Sequence, residues 1–113
     1  MFNFNVFGTK EGNIDVQKFD ELINQGHTIV DVRTPEEYNQ SRIEGAMLIN
    51  FYDPGFKRKV EALDKEGKYI IYCRSGSRSK NALSLFKQSG INEVFHLSGG
   101  IISWHRAGKP LVR

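Results

Sequence analysis

A chain of 113 residues is long enough for one compact domain with its own core and too short for two. Its 39% hydrophobic and 26% charged residues argue against disorder, and no apolar run approaches the roughly 20 residues that span a bilayer. Sixteen Lys and Arg against thirteen Asp and Glu give a formal charge of +3 without a basic run of five or more, so neither a nucleic acid nor a membrane is expected as a partner.

The opening Met1-Phe2-Asn3-Phe4-Asn5-Val6-Phe7 lacks the basic start and long apolar stretch of a secretory signal. With a single cysteine, which excludes an internal disulfide and suits a reducing compartment, this points to the cytoplasm. His27, His96 and His105 lie far apart and have no metal-ligand spacing with Cys73, so neither a metal nor another cofactor is expected.

No repeat, low-complexity segment or linker divides the sequence, and residues 1–113 read as a single domain. Phe2 to Val6 could supply an edge strand. Asp15 can cap a helix with apolar positions Val16, Phe19, Leu22 and Ile23, and Gly26 ends it. Thr28 to Val32 reads as a buried strand. Thr34-Pro35-Glu36-Glu37 then offers a capping Thr, a Pro at the first helical position and a Glu three residues after the cap, which predicts a short helix through about Gln40.

Ala46 to Ile49 is the next expected strand, and Pro54 to Leu63 the next helix. Tyr69-Ile70-Ile71-Tyr72 is a run of β-branched and aromatic residues that favours a strand. Ser79 to Ser89 reads as an amphipathic helix stopped by Gly90. Glu93 to Leu97 is a last strand, and Gly99-Gly100 leads into a helix carrying Ile101, Ile102 and Trp104. Strands separated by helices cannot pair as hairpins. They need right-handed crossovers, so the predicted fold is α/β, a mainly parallel five-stranded sheet with helices on both faces.

In open parallel sheets, ligands bind beyond the carboxyl ends of the strands. Cys73 follows Tyr69-Ile70-Ile71-Tyr72 directly and opens the loop Cys73-Arg74-Ser75-Gly76-Ser77-Arg78, after which a helix is expected. A short Gly/Ser loop can turn several backbone N–H groups toward one point, and the helix N-terminus, Arg74 and Arg78 add positive charge. These features favour a thiolate at Cys73. Against this stands the plainer reading, in which Cys73 is a small buried hydrophobe and the arginines are surface charges. The placement at a strand tip, inside this loop, favours the functional one.

The combination resembles the single-domain rhodaneses. Ile29-Val30-Asp31-Val32-Arg33, Thr34-Pro35-Glu36-Glu37-Tyr38 and the segment from Arg42 to Asn50 match the family's first signature. The Cys73–Arg78 loop matches its active-site loop. Gly99-Gly100-Ile101-Ile102-Ser103-Trp104, with Ala107-Gly108-Lys109-Pro110, matches its C-terminal signature. The three segments occur in the right order and cover nearly the whole chain. One departure is Ser41-Arg42, where the family often has Gly-His.

The resemblance implies a sulfurtransferase, with Cys73 taking a sulfur atom from a small anionic donor such as thiosulfate and passing it to cyanide or a thiol through a persulfide. Arg74, Ser75, Gly76, Ser77 and Arg78 would bind the donor. Asp31, Arg33 and Glu37 would form a supporting hydrogen-bond and ion-pair set, while Gly99, Gly100 and Trp104 shape a turn and fill a core pocket. A sulfur-relay protein could be a further partner. No general base is assigned. Two alternatives stay open. One is a rhodanese-like interaction module without activity. The other is a cysteine-dependent phosphatase or arsenate reductase. Phosphatases of this fold place five residues between Cys and Arg, whereas only Arg74, Ser75, Gly76 and Ser77 lie between Cys73 and Arg78. An arsenate reductase would need further cysteines.

Overall fold

The structure, a computed structural model, describes residues 12–113. Asp15 accepts a hydrogen bond from the Lys18 backbone N–H at 2.9 Å and so starts α1 (Val16–Asn24), which turns Phe19 and Leu22 inward. Four strands and four helices then alternate: β2 (Thr28–Asp31), α2 (Pro35–Gln40), β3 (Met47–Leu48), α3 (Phe56–Glu61), β4 (Lys68–Tyr72), α4 (Ser77–Gln88), β5 (Glu93–Leu97) and α5 (Gly100–Arg106). A two-residue strand, β1 (Asn13–Ile14), precedes them. Every pairing is parallel, and the strand order is β1-β5-β4-β2-β3.

The sheet therefore has the predicted five parallel strands, with three differences of detail. Beside β5, the outer strand is Asn13–Ile14, too short to show any alternation; the strand expected over Phe2 to Val6 lies outside the described residues. The third helix is shorter than its sequence pattern, because Asp53 and Gly55 form a turn that delays it to Phe56. The fourth begins at Ser77, two residues before the expected start, because Gly76 adopts the left-handed conformation (φ +114°) and turns the chain at once.

Side-chain alternation along the central strands divides the core. Val30, Val32, Tyr69, Ile71 and Cys73 face one layer with Phe56 and Val60 of α3 and Ala82 and Phe86 of α4. Ile29, Ile70 and Tyr72 face the other, with Phe19 and Leu22 of α1 and Ile101 and Trp104 of α5. Ile70 and Ile71 are wholly buried, one on each face, and burial of each contributes about 1.5–3 kcal/mol. The consequence for the site is positional. Cys73, one step beyond β4, inherits the α3–α4 face, and the first turn of α4 closes over it.

Candidate active site

The Cys73 side chain is only 1% exposed and sits where β4 gives way to α4. The Gly76 N–H points at its sulfur from 3.1 Å and the Ser79 N–H from 3.4 Å. Both donors come from the turn made by Gly76, where a side chain would be strained by the positive φ and would meet the Gly99 nitrogen at 3.2 Å. Two fixed amides and the start of a helix can stabilise negative charge on the sulfur without any rearrangement of water.

The Gly99-Gly100 pair supports this loop from behind. The Ile101 N–H donates to the Cys73 carbonyl at 2.9 Å and the Ile102 N–H to the Arg74 carbonyl at 3.2 Å. The first amides of α5 thus hold the cysteine loop. A Cβ on Gly100 would lie 2.3 Å from the Arg74 oxygen, so only glycine permits the approach. Trp104 fixes the other end of α5: its Nε1–H donates to the Pro110 carbonyl at 2.8 Å, and its ring packs edge-on against Phe19.

Of the loop residues named from sequence, Arg74, Ser75 and Ser77 are exposed. Arg78 differs. Both its terminal nitrogens donate to Glu37, at 2.8 and 3.0 Å, a two-pronged pair between α4 and α2. Glu37 also accepts from the Thr34 backbone N–H and hydroxyl, completing the capping box of α2. The Arg78 hydrogen bond is the main reason its carboxyl is held down to about 2. Arg78 therefore brings a positive charge toward the sulfur with its fork already engaged. The exposed ring of Tyr52 lies 5.6 Å from its guanidinium.

Asp31 and Arg33 belong to a separate buried network. Arg33 donates through Nε and a terminal nitrogen to the Asp31 carboxylate at 2.7–3.1 Å, and to the Ser41 carbonyl at 2.6 Å. The Tyr72 hydroxyl donates to Asp31 at 2.6 Å and accepts from the Ile43 N–H at 3.1 Å. Burial, reinforced by Asp31, pushes the Tyr72 phenol far above its ordinary range. Glu37 thus supports Arg78, while Asp31 and Arg33 tie β2 and β4 to the chain after α2. The Ser41-Arg42 departure falls within this scaffold: Arg42 lies over the Tyr38 ring at 4.5 Å and pairs through its backbone with Val112.

Three polar residues beside the sulfur are not singled out by the sequence reading. The Ser79 hydroxyl lies 3.5 Å from Cys73 Sγ and 2.9 Å from His96 Nδ1, and His96 Nε2 meets Asn13 Oδ1. Burial, and then the nearby Lys80 charge, lower His96 to about 4, so its imidazole is neutral at ordinary pH. The one available signal was a histidine at an inward-facing position of an apolar strand. Among the described residues, no three His, Cys, Asp or Glu side chains cluster as metal ligands, and no helix is long and apolar enough to cross a membrane.

Comparison with known proteins finds relatives over most of the chain. A sulfurtransferase of Allochromatium vinosum is 38% identical over 84 residues, covering 74% of this chain and 77% of that protein. The thiosulfate sulfurtransferase GlpE of Actinobacillus pleuropneumoniae is 26% identical over 95 residues, covering 84% of this chain and 86% of that protein. The crystal structure of a rhodanese-related protein from Thermoplasma volcanium superposes with a TM-score of 0.78 at 30% identity, covering 88% of this chain and 95% of that one. The rhodanese-like domain model matches residues 15–107, so the chain belongs to the rhodanese-like family.

Proposed function

We propose that this protein moves sulfane sulfur from a small anionic donor such as thiosulfate to a thiol or cyanide, with Cys73 as the carrier. The single observation that carries this reading is the Cys73 sulfur held under two backbone N–H groups at the tip of β4. The sulfurtransferase names of the relatives support the same class of reaction.

In the first half-reaction the Cys73 thiolate attacks the outer sulfur of thiosulfate. A new S–S bond forms, the old one breaks, and sulfite leaves with the bonding pair, giving a Cys73 persulfide. In the second, cyanide or a thiolate attacks the terminal sulfur. Thiocyanate or a new persulfide departs, and the Cys73 thiolate is restored. The Gly76 and Ser79 amides offset charge on the sulfur in both states. Exposed Arg74 meets the anionic donor, and Arg78, fixed by Glu37, supplies a second positive charge. A second copy of the chemistry on a partner protein, a relay thiol or persulfide, would enter by the same loop.

The test is intact mass after reducing pre-treatment. Thiosulfate should add one sulfur atom to the wild type, cyanide should release it as thiocyanate, and Cys73→Ser should do neither while keeping its fold. A wild type that takes up no sulfur from thiosulfate or from a persulfide donor supports the interaction-module reading instead. Hydrolysis of an aryl phosphate that depends on Cys73 would favour the phosphatase reading.

A further inference from the structure

The second, neutral set of polar groups at the sulfur has no role in the reaction as written above. Cys73 Sγ, Ser79 Oγ, His96 Nδ1 and Asn13 Oδ1 form a continuous chain from the loop through α4 and β5 to β1. Ser79 is fully buried and His96 is 3% exposed. Asn13 and His96 are register partners across β1 and β5, which brings their side chains together. His96 lies two residues after Val94, on the same inward face, where an aliphatic residue would satisfy packing alone. Burying an imidazole there is costly unless both nitrogens are bonded, and both are.

The partners fix the direction of each hydrogen bond. Asn13 Oδ1 can only accept, so Nε2 of His96 carries the ring proton and Nδ1 is left as an acceptor. The Ser79 hydroxyl must then donate to Nδ1 at 2.9 Å. Its other acceptor within reach, the Gly76 carbonyl at 3.2 Å, also draws the hydroxyl proton away from the sulfur. Ser79 Oγ therefore turns lone pairs toward Cys73. The oxygen can accept an S–H proton, but it gives nothing to a thiolate.

We propose that Ser79 and His96 are positioning residues for Cys73, with His96 holding the Ser79 hydroxyl proton away from the sulfur so that the thiolate stays nucleophilic. The inference rests on the reading of Cys73 as the sulfur carrier. Its physical reason is the trade-off in thiolate chemistry: a sulfur stabilised too well attacks slowly, because nucleophilicity falls as the thiol becomes more acidic. Two amide donors and the α4 N-terminus already face the sulfur, Arg78 acts on it through its charge, and a third donor from Ser79 would add to them. The charged groups from α4 that act on the chain are Arg78, toward Cys73, and Lys80, toward His96.

The experiment uses the pH profile of Cys73 alkylation by iodoacetamide, which needs no sulfur donor and so stands apart from any failure of sulfur transfer. In His96→Phe the hydroxyl keeps only the Gly76 carbonyl and the sulfur as acceptors, and a charged thiolate is the stronger of the two. The midpoint of the profile should move to lower pH by about 0.5–1 unit, the size expected for one added hydrogen bond, and the plateau rate per thiolate should fall. His96→Asn, whose amide oxygen replaces Nδ1 as acceptor, should return the midpoint to the wild-type position. An unchanged midpoint in a folded His96→Phe protein, or an upward shift, overturns the proposal. Should that variant fail to fold, the wild type decides: nitrogen NMR must find His96 protonated at Nε2 and bare at Nδ1, and the opposite tautomer overturns the proposal.

Discussion

On the α1–α5 face of the sheet lies a buried ionic network, Asp31 and Arg33, closed on each other and on Tyr72, Ile43 and Ser41. On the α3–α4 face the polar set is neutral, buried Ser79 and His96 with half-buried Asn13, and the chain they form ends on a sulfur atom. The two sets lie back to back, because Tyr72 and Cys73 are consecutive residues turned to opposite faces. A closed ionic set has its charges compensated by fixed partners, which makes it a clamp between β2, β4 and the segment after α2. A neutral chain with one end on a nucleophile leaves that end able to change bonding during a reaction. The sheet thus separates what holds the site from what reacts in it.

The largest effect should come from breaking the clamp. Asp31→Ala leaves the Arg33 guanidinium buried without its counter-ion and Tyr72 without its acceptor, a loss of about 3–5 kcal/mol in urea unfolding. At temperatures where the variant is still folded, sulfur transfer per folded molecule should stay within a few-fold of wild type. A well-folded Asp31→Ala protein that transfers no sulfur would merge the two sets into one functional unit.

Next in size is the grip on Arg78. Arg78→Ala removes a charge that acts on the sulfur and should raise KM for thiosulfate about tenfold, equivalent to ~1.4 kcal/mol, with a smaller change in kcat. Glu37→Gln keeps the Arg78 charge and loses its fixed position, so its KM should fall between the two. If Glu37→Gln is worse than Arg78→Ala in donor kinetics, Glu37 has a role of its own beyond holding Arg78.

Much of this is legible in the sequence. The strand-favouring run Tyr69–Tyr72, the capping box at Thr34, and the position of Cys73 at a strand end are local patterns, and local patterns survive folding; the division of that run between the two faces is not among them. The parallel sheet followed from connections too long for hairpins. What could not be read depends on contacts between distant segments. Glu37 meets Arg78 across 41 positions, His96 meets Asn13 across 83, and neither pair has a spacing that signals it. The start of α4 differs from the sequence expectation for another reason. Helix propensity at Ser77 and Arg78 does not mark a start, and the deciding feature is the left-handed Gly76, whose N–H turns to the Cys73 sulfur.

The smallest effect separates the ionic pair at the surface from the buried one. Glu37 in an unfolded chain titrates near 4.5, but in the folded protein the Arg78 hydrogen bond, the largest cause, carries it to about 2. Between these values the unfolded chain takes up the proton first, so stability falls as pH falls. The contribution of the pair is complete above pH 4.5 and disappears as pH drops toward 2. The carboxylate is partly solvated, so its share of the acid loss should be about 1–2 kcal/mol rather than the full linkage value. Urea unfolding of wild type and Glu37→Gln at neutral pH and again near pH 3 measures it, because the gap between the two proteins should narrow in acid. A gap that stays constant would mean that the Glu37 charge stabilises the fold through neither Thr34 nor Arg78, and that Arg78 is fixed by something other than this carboxylate.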